Sequence, residues 1–121
     1  MLRLHDKIAI QCADKRYTYD DLSRYAQCYA DAYGSIGKES KVAIFAPNSP
    51  EWIFAFYGII HAKAIAVPID ELATPDELAY VLKDAAPDVM VTTSERSASV
   101  QKVIQEAGVS TRVVVMEDVP V

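Results

Sequence analysis

The sequence predicts a single α/β domain over residues 1–121, in which helices cover both faces of a parallel β-sheet. The main observation is an alternation along the chain. Segments with apolar residues at helical spacing are separated by short segments that are apolar throughout. Strands buried on both faces of a parallel sheet have this second pattern, and helices connect them. The length of 121 residues, with 51% hydrophobic and 24% charged residues, also fits one globular domain.

A short hairpin begins the chain. Two strand-like segments separated by Ala13-Asp14-Lys15 predict it over residues 8–18. Thr18 then fits the N-cap of the first helix, and Asp21 follows three residues later as its partner in a capping box. The apolar stripe of this helix consists of Leu22, Tyr25, Ala26, Tyr29, Ala30 and Tyr33. Two glycines stand where the helix is expected to end, Gly34 and Gly37.

Residues 41–46 predict the first strand of the parallel sheet, because they are almost all apolar. Ser49 fits the N-cap of the next helix, with Pro50 at the first helical position and Glu51 in the first turn. This helix extends to about Ala62 and is apolar on nearly all sides, which predicts that it is covered on most of them. Its large apolar residues are Trp52, Ile53, Phe54, Phe56, Tyr57, Ile59 and Ile60.

Residues 64–67 predict the second strand of the sheet, which Pro68 closes. A strong helix start follows at Thr74, because Glu77 completes a capping box and Pro75 occupies the first helical position. The buried stripe of this helix consists of Leu78, Val81, Leu82 and Ala85. The pattern therefore continues from strand to helix without a linker.

Residues 88–92 predict a third strand of the sheet. Ser97 is the expected N-cap of the last helix, and Gly108 is its expected end. The apolar face of this helix consists of Val100, Val103, Ile104 and Ala107. Residues 111–116 are rich in valine and predict a final strand.

Charge and hydropathy exclude several classes of partner. The net charge is −5 and no run of lysine or arginine occurs, which disfavours nucleic acid and anionic membrane surfaces. The most apolar stretch, residues 52–69, contains His61 and Lys63 and predicts a buried helix and strand rather than a membrane span. The N-terminus shows no signal-peptide pattern, so we expect a cytoplasmic protein in which Cys12 and Cys28 are reduced thiols.

The glycines and histidines of the chain decide whether it could bind a phosphate group or a metal ion. Four scattered glycines cannot form a glycine-rich phosphate loop, so the chain alone is not expected to bind a nucleoside triphosphate tightly. They are Gly34, Gly37, Gly58 and Gly108. His5 and His61 could belong to a scattered metal site, but we favour one histidine near the terminus and one near a helix C-terminus, where positive charge is favourable.

Asp70 and Glu71 are the carboxylates with the most suggestive position. They follow a parallel strand at its carboxyl end, where ligands commonly bind in open α/β sheets. Such a pair could bind a metal or act as acid and base. Adjacent side chains seldom point at one atom, so we favour a solvated turn that leads to the Thr74 helix.

Two aromatic features allow a functional and a structural interpretation. The tyrosine stripe could form a platform for a ligand, but such stripes more often belong to the core, with hydroxyls at its rim. It consists of Tyr25, Tyr29 and Tyr33. The apolar helix from Trp52 to Ile60 could line an apolar pocket, belong to the core, or contact a further domain. We favour the last of these, because a small domain has few elements with which to cover such a helix.

Three segments in a fixed order carry a family resemblance: YTYDDL at residues 17–22, KVAIFAPNSPEW at 41–52 and YGIIHAKAIAVPID at 57–70. In this order they resemble the beginning of the adenylate-forming superfamily, which includes acyl-CoA synthetases, nonribosomal peptide adenylation domains and luciferases. The similarity extends through residues 77–78 and 88–92. It implies the N-terminal subdomain of such an enzyme, with flavodoxin- or Rossmann-like layering.

The resemblance implies an activity for the parent protein. These enzymes use ATP and Mg²⁺ to convert a carboxylic acid to an acyl-adenylate, and then pass the acyl group to CoA or to a carrier-protein phosphopantetheine. The superfamily's phosphate loop, adenine motif, ribose-binding aspartate and catalytic lysine lie further along the chain. The resemblance therefore assigns no catalytic, cofactor or metal residue here. Lys63 stands where these proteins usually have glycine, and we expect it to alter local packing.

The leading hypothesis is an N-terminal piece of an ATP-dependent acyl-activating ligase, most similar to a fatty-acid–CoA ligase. Its partners would be the remainder of the parent enzyme and a carboxylic acid, and the piece alone would be inactive. One alternative is a fragment of an amino-acid adenylation domain. Another is a stand-alone, non-catalytic α/β module that binds a partner through the helix from Trp52 to Ile60.

Overall fold

The computed structural model describes residues 7–121, so the prediction for His5 falls outside it. An antiparallel hairpin of β1 (Ile8–Cys12) and β2 (Lys15–Thr18) leads into helix α1 (Tyr19–Tyr33). The elements that follow are β3 (Lys41–Phe45), α2 (Pro50–His61), β4 (Ile65–Pro68), α3 (Pro75–Ala85), β5 (Val89–Thr92), α4 (Ser94–Ala107), β6 (Arg112–Val115) and a 3₁₀ turn (Met116–Asp118). The predicted hairpin and the alternation of strands and helices are both confirmed.

The four strands β3 to β6 form one parallel sheet in the order β4-β3-β5-β6. The central strands β3 and β5 are the most buried, as continuously apolar segments require. Helices α1 and α2 pack on one face of the sheet, and α3 and α4 pack on the other. The predicted fold class, a parallel sheet with helices on both faces, is therefore confirmed.

Three of the four predicted helix caps are correct. The Thr18 hydroxyl accepts a hydrogen bond from the Asp21 amide at 3.1 Å, and the Asp21 carboxylate accepts one from the Thr18 amide at 2.9 Å. Thr74 forms the same capping box with Glu77 at the start of α3, and the Ser49 hydroxyl caps α2 by accepting a hydrogen bond from the Trp52 amide. These caps are visible in the sequence because both partners lie within three residues of each other.

The predicted N-cap of the last helix is wrong. Thr93, not Ser97, caps α4, and its hydroxyl accepts a hydrogen bond from the Arg96 amide at 3.3 Å. Glu117, from the turn after β6, accepts a further hydrogen bond from the Ser94 amide at 3.0 Å. The helix therefore begins one turn earlier than predicted, because a distant carboxylate binds a first-turn amide that would otherwise lack a partner.

The tyrosine stripe of α1 belongs largely to the core, as favoured above. Tyr29 and Tyr33 are buried between α1, α2 and the sheet. The Tyr33 hydroxyl donates a hydrogen bond to the Ala55 carbonyl of α2 at 2.6 Å. Burial raises the pKa of Tyr33 far above its usual value of 10, so the hydroxyl stays protonated as this donor.

The expectation that α2 is covered on most sides is wrong for its outer side. Tyr57 is 41% exposed and Ile60 is 52% exposed. The inner side, with Phe54 and Ile59, is buried against α1 and the sheet. Among residues 7–121, no further layer packs over this outer side. Within the same described range, the longest helix has 15 residues, and no helix is long and apolar enough to cross a bilayer.

The lysine at position 63 matters through its backbone conformation rather than through the packing of its side chain. Its side chain is exposed, which corrects the expectation of altered packing. Its φ is +60°, in the left-handed region that costs a side-chain-bearing residue about 1–2 kcal/mol. The chain adopts this conformation because it must turn directly from α2 into β4. Glycine suits this position, because it has no Cβ and adopts a positive φ without a steric clash.

Replacing Lys63 with glycine is therefore expected to raise the free energy of unfolding by about 0.5–1 kcal/mol, since relief of the strained φ exceeds the added entropy of the unfolded chain. Urea denaturation followed by circular dichroism measures this change. Lys83→Gly is the matched control, because Lys83 is an exposed residue of helix α3. There the same substitution should lower stability by about 0.5–1 kcal/mol. Changes of the same sign at both lysines would contradict the explanation.

Candidate functional site

The carboxyl ends of the parallel strands form the candidate site. A cleft of about 480 Å³ opens at this edge of the sheet, next to the ends of β3, β5 and β6. Clefts at this edge are where open α/β sheets commonly bind ligands. The residues that line it are Tyr17, Tyr25, Tyr29, Ser49, Glu51, Phe54, Thr93, Met116, Glu117, Val119 and Val121.

One wall of the cleft is aromatic. The rings of Tyr25 and Phe54 stack with centroids 4.6 Å apart, and Tyr17 meets both rings edge-on, at 5.8 Å and 5.1 Å. Arg24 lies over the Tyr25 ring at 4.9 Å from its centroid. These contacts join the hairpin, α1 and α2, so the wall is held by packing between three elements.

Glu117, in the turn after β6, forms hydrogen bonds with the first residue of α4. Its carboxylate accepts hydrogen bonds from the Ser94 amide at 3.0 Å and from the Ser94 hydroxyl at 2.7 Å. The hydroxyl bond is the main cause that holds the pKa of Glu117 below its usual value of 4.5. A depressed carboxyl pKa stabilises the fold above the unfolded-state value, and this stabilisation is lost as the pH falls through the folded-state value.

Glu117→Gln is expected to lower the free energy of unfolding at pH 7 by less than about 1 kcal/mol, because the carboxylate is exposed to solvent. The difference from the unmodified chain should shrink as the pH is lowered from about 5 to about 3, where the carboxylate becomes protonated. Urea denaturation at several pH values measures it. Glu39→Gln, in an exposed loop, is the control and should leave stability unchanged at every pH. A difference at Glu117 that grows on acidification would contradict this account.

Glu51 and Tyr29 face the same cleft. Glu51 is in the first turn of α2, and among residues 7–121 no hydrogen-bond donor binds its carboxylate. Tyr29 is only 2% exposed, and its hydroxyl has no hydrogen-bond partner within that range either. Burial, and then the negative charges of Glu51 and Glu117, raise the pKa of Tyr29 well above its usual value of 10. A neutral hydroxyl therefore lies close to two carboxylates.

The comparison with protein families decides which family this chain belongs to. Residues 2–121 match the family described as AMP-binding enzyme. The chain belongs to the AMP-binding enzyme family. The match extends over nearly the whole chain and agrees with the resemblance carried by the three ordered segments.

Individual relatives agree with this membership. A dimodular nonribosomal peptide synthase of Bacillus subtilis (strain 168) is 33% identical over 96 residues, which are 78% of this chain and 4% of that protein. A long-chain-fatty-acid–CoA ligase of the same organism is 33% identical over 97 residues, or 74% of this chain and 16% of that protein. The crystal structure of an anthranilate CoA ligase with anthranoyl-AMP aligns with a TM-score of 0.79 at 25% identity, over 91% of this chain and 22% of that one. The chain thus spans less than a quarter of each.

In this member of the AMP-binding family, the carboxylates predicted as candidates have separate structural roles. Asp70 accepts a hydrogen bond from the Leu72 amide at 2.9 Å, which shapes the turn after β4. Glu71 lies 4.0 Å from the Arg96 guanidinium, which also donates a 2.9 Å hydrogen bond to the Glu71 carbonyl. The arrangement is the turn favoured above, with an added contact to α4.

The remaining candidates are dispersed in the fold. His61 is the exposed last residue of α2, as predicted. Cys12 is exposed and Cys28 is half-buried, and both are free thiols. Across residues 7–121, no three His, Cys, Asp or Glu side chains lie close enough together to hold a metal ion.

The cleft does not fit a triphosphate, although ATP is implied for the family. Glu51 and Glu117 line it, and none of its lining residues is a lysine or an arginine. The glycines with positive φ, Gly34 and Gly108, end helices α1 and α4 and form no phosphate cradle. Carboxylates would repel phosphate oxygens here, so these residues support no step of nucleotide chemistry.

The solvated turn favoured for Asp70 and Glu71 is confirmed, and the carboxylates that line the cleft at the same edge of the sheet, Glu51 and Glu117, were not considered as site residues from the sequence. The available signal was that strands β3, β5 and β6 all end at one edge, so the residues after each of them meet there. Tyr29 carried no such signal, because its spacing within α1 is that of a core residue.

Proposed function

We propose that this chain is the N-terminal part of an ATP-dependent acyl-activating ligase that forms an acyl-adenylate and then a thioester. The observation that supports it most directly is the family match over residues 2–121. Two of the three similar proteins described above are CoA ligases, which favours CoA as the thiol acceptor. A fatty acid is the proposed substrate, on the basis of the 33% identity to a long-chain-fatty-acid–CoA ligase.

In this proposal, residues 1–121 form part of the scaffold of the enzyme, and the reaction requires the remainder of the parent polypeptide. ATP, Mg²⁺ and the thiol are bound by the remainder of the parent enzyme, since the cleft described above does not fit a triphosphate. The exposed outer side of α2, which includes Tyr57 and Ile60, offers an apolar surface to that remainder. The chain alone is therefore proposed to be inactive.

ATP–pyrophosphate exchange tests the proposal directly. The 121-residue chain and a version extended along its own gene are each assayed with fatty acids of several lengths, with amino acids and without any acid. We expect exchange only in the extended protein and only with fatty acids. Exchange driven by amino acids would replace the substrate assignment, and exchange by the 121-residue chain would contradict its proposed inactivity.

Two other functions have support of their own. The nonribosomal peptide synthase that is 33% identical over 96 residues favours a fragment of an amino-acid adenylation domain. The exposed apolar side of α2 favours a stand-alone module that binds a partner. Reading the gene beyond the codon for Val121 separates the module from the ligase. A stop codon favours the module, and a following Gly/Ser/Thr-rich loop favours the ligase.

A further inference from the structure

The two outer strands of the parallel sheet differ in their ability to bind a further strand. In the order β4-β3-β5-β6, the outer strands are β4 and β6, and among residues 7–121 no other strand pairs with the free side of either. The free side of an outer strand presents backbone N–H and C=O groups that can form hydrogen bonds with another strand. How many of these groups point outward differs between β4 and β6.

The free side of β6 is open to pairing. The Arg112 amide donates a hydrogen bond to the carbonyl of Asp88, the residue before β5, at 3.0 Å. Backbone groups alternate in direction along a strand, so those of Arg112 and Val114 point to β5, and those of Val113 and Val115 point away from it. Both outward residues are valines, which favour strands. The free side of β6 therefore offers two N–H and two C=O groups to a further strand.

The free side of β4 is largely closed to pairing. The Ile65 amide donates a hydrogen bond to the carbonyl of Ser40, the residue before β3, at 2.8 Å. By the same alternation, the backbone groups of Ile65 and Val67 face β3, and those of Ala66 and Pro68 face outward. Proline has no N–H to donate, and prolines commonly protect outer strands from pairing. The strand Ile65–Pro68 therefore has one outward N–H, that of Ala66.

The side chains around β6 leave space for another strand. A groove of about 580 Å³ is lined by residues of α4 and β6, among them Ile104 and Val113. Arg112 is the charged residue of β6, and its guanidinium donates a 3.3 Å hydrogen bond to the Ala32 carbonyl at the end of α1. Val113 and Val115 are uncharged, and neither is a proline. The features by which natural outer strands resist pairing are therefore missing from both outward positions.

The topology and the relatives indicate where such a strand comes from. Counted from β3, the strand order is 2-1-3-4, the beginning of the doubly wound order 2-1-3-4-5, in which the next strand of the same polypeptide lies beside the fourth. The chain spans less than a quarter of each relative described above, so a parent protein of similar length has polypeptide to supply that strand. A second copy is less favoured, because pairing through four-residue strands alone buries much less than the roughly 800 Å² per partner of a stable interface.

We propose that the free side of β6 binds a fifth parallel strand, supplied by a later part of the parent polypeptide, and that β4 remains an outer strand of the complete sheet. The backbone groups of Val113 and Val115 form the hydrogen bonds to this strand. The inference rests on the proposed function in one respect, that the chain is part of a longer enzyme. It does not depend on which reaction that enzyme performs.

Amide hydrogen exchange resolved to single residues tests the proposal, on the 121-residue chain and on the version extended along its own gene. In the 121-residue chain, the Val113 and Val115 amides should exchange at least about tenfold faster than the Val114 amide, which donates to β5. In the extended protein, both amides should slow by at least about tenfold, because each gains a partner. The Ala66 amide on β4 is the matched control and should exchange at the same rate in both proteins.

A proline variant separates strand pairing from simple burial. Val113→Pro removes one outward N–H, so in the extended protein it should speed exchange of the Val115 amide by at least about tenfold, and in the 121-residue chain it should not. Ala66→Pro is the matched control and should change the Val115 amide in neither protein. Continued protection of the Val114 amide shows that β6 still pairs with β5 in the variant, and the comparison of the two unmodified proteins stands without it.

Three results would overturn the proposal. The first is fast exchange of Val113 and Val115 in the extended protein, and the second is new protection of Ala66 instead. The third is protection of Val113 and Val115 in the 121-residue chain that rises with its concentration, which would assign the free side of β6 to a second copy. ATP–pyrophosphate exchange tests the ligase separately. An inactive extended protein with protected β6 amides contradicts the ligase alone, and an active one with unprotected amides contradicts the fifth strand alone.

Discussion

Replacing Gly58 with alanine is expected to lower the free energy of unfolding by about 2–3 kcal/mol. Gly58 lies where α2 packs closely against α1. A Cβ at this position would be 2.7 Å from the Tyr29 Cβ, 3.0 Å from the Ala26 carbonyl oxygen and 3.2 Å from the Ala30 amide nitrogen. Alanine's higher helix propensity would favour the variant by about 1 kcal/mol, but it cannot offset such a clash.

The clash is costly because most of the atoms involved cannot move independently. Two of them are backbone atoms of α1, and the third is the first side-chain atom of the buried Tyr29. Relief of the contact therefore requires α1 and α2 to separate, which opens the core on that face of the sheet.

Gly37→Ala is the matched control for this prediction. A Cβ at Gly37 would have no atom within 4 Å, and its φ is not in the left-handed region. Its free energy of unfolding should stay within about 0.5 kcal/mol of that of the unmodified chain. Urea denaturation of both variants gives the comparison. Equal stability of Gly58→Ala and the unmodified chain would show that the two helices can separate freely.

Leu82→Ala is expected to cost about 2–5 kcal/mol, the range for a fully buried leucine. Leu82 lies on α3, is 0% exposed and belongs to the core on the opposite face of the sheet from α1 and α2. Its neighbours in this core include Ala43, Phe45, Leu78, Met90 and Val100. Loss of three carbon atoms there leaves a cavity that two helices and the central strands cannot close.

Leu72→Ala provides the control for this second prediction. Leu72 is 82% exposed in the loop after β4, so the same change should alter stability by less than about 0.5 kcal/mol. A loss of about 5 kcal/mol could equal the whole free energy of unfolding of a small domain. Leu82→Val is therefore included as a milder variant that is expected to remain folded. Thermal unfolding followed by circular dichroism ranks the three. Similar losses for Leu82→Ala and Leu72→Ala would contradict the assignment of Leu82 to the core.

Short-range features of this fold could be predicted well. The caps at Thr18, Ser49 and Thr74 each depend on groups within three residues of one another. The error at Ser97 has a clear physical cause. Thr93 and Ser97 are both acceptable caps in isolation, and Glu117, 23 residues beyond Ser94, binds the amide of the earlier start.

The candidate site could be predicted only in part. Ligands generally bind parallel sheets at the carboxyl ends of the strands, and the cleft lies at that edge. The rule does not decide which carboxylates converge. Asp70 and Glu71 follow the edge strand β4 and bind local partners, whereas Glu117 follows β6 at the other side of the sheet and reaches the start of α4.

The sequence by itself determined the order of strands and helices, the buried faces of α1, α3 and α4, three helix starts and membership in a family recognisable from ordered motifs. These properties depend on local hydrogen bonds and on the periodicity of apolar residues, which neighbouring positions specify. Only the tertiary structure decided the strand order, the need for glycine at position 58, the exposed outer side of α2 and the position of Glu51 and Tyr29 at one cleft. Each of these depends on distances between residues far apart in the chain, and the packing of whole elements sets those distances.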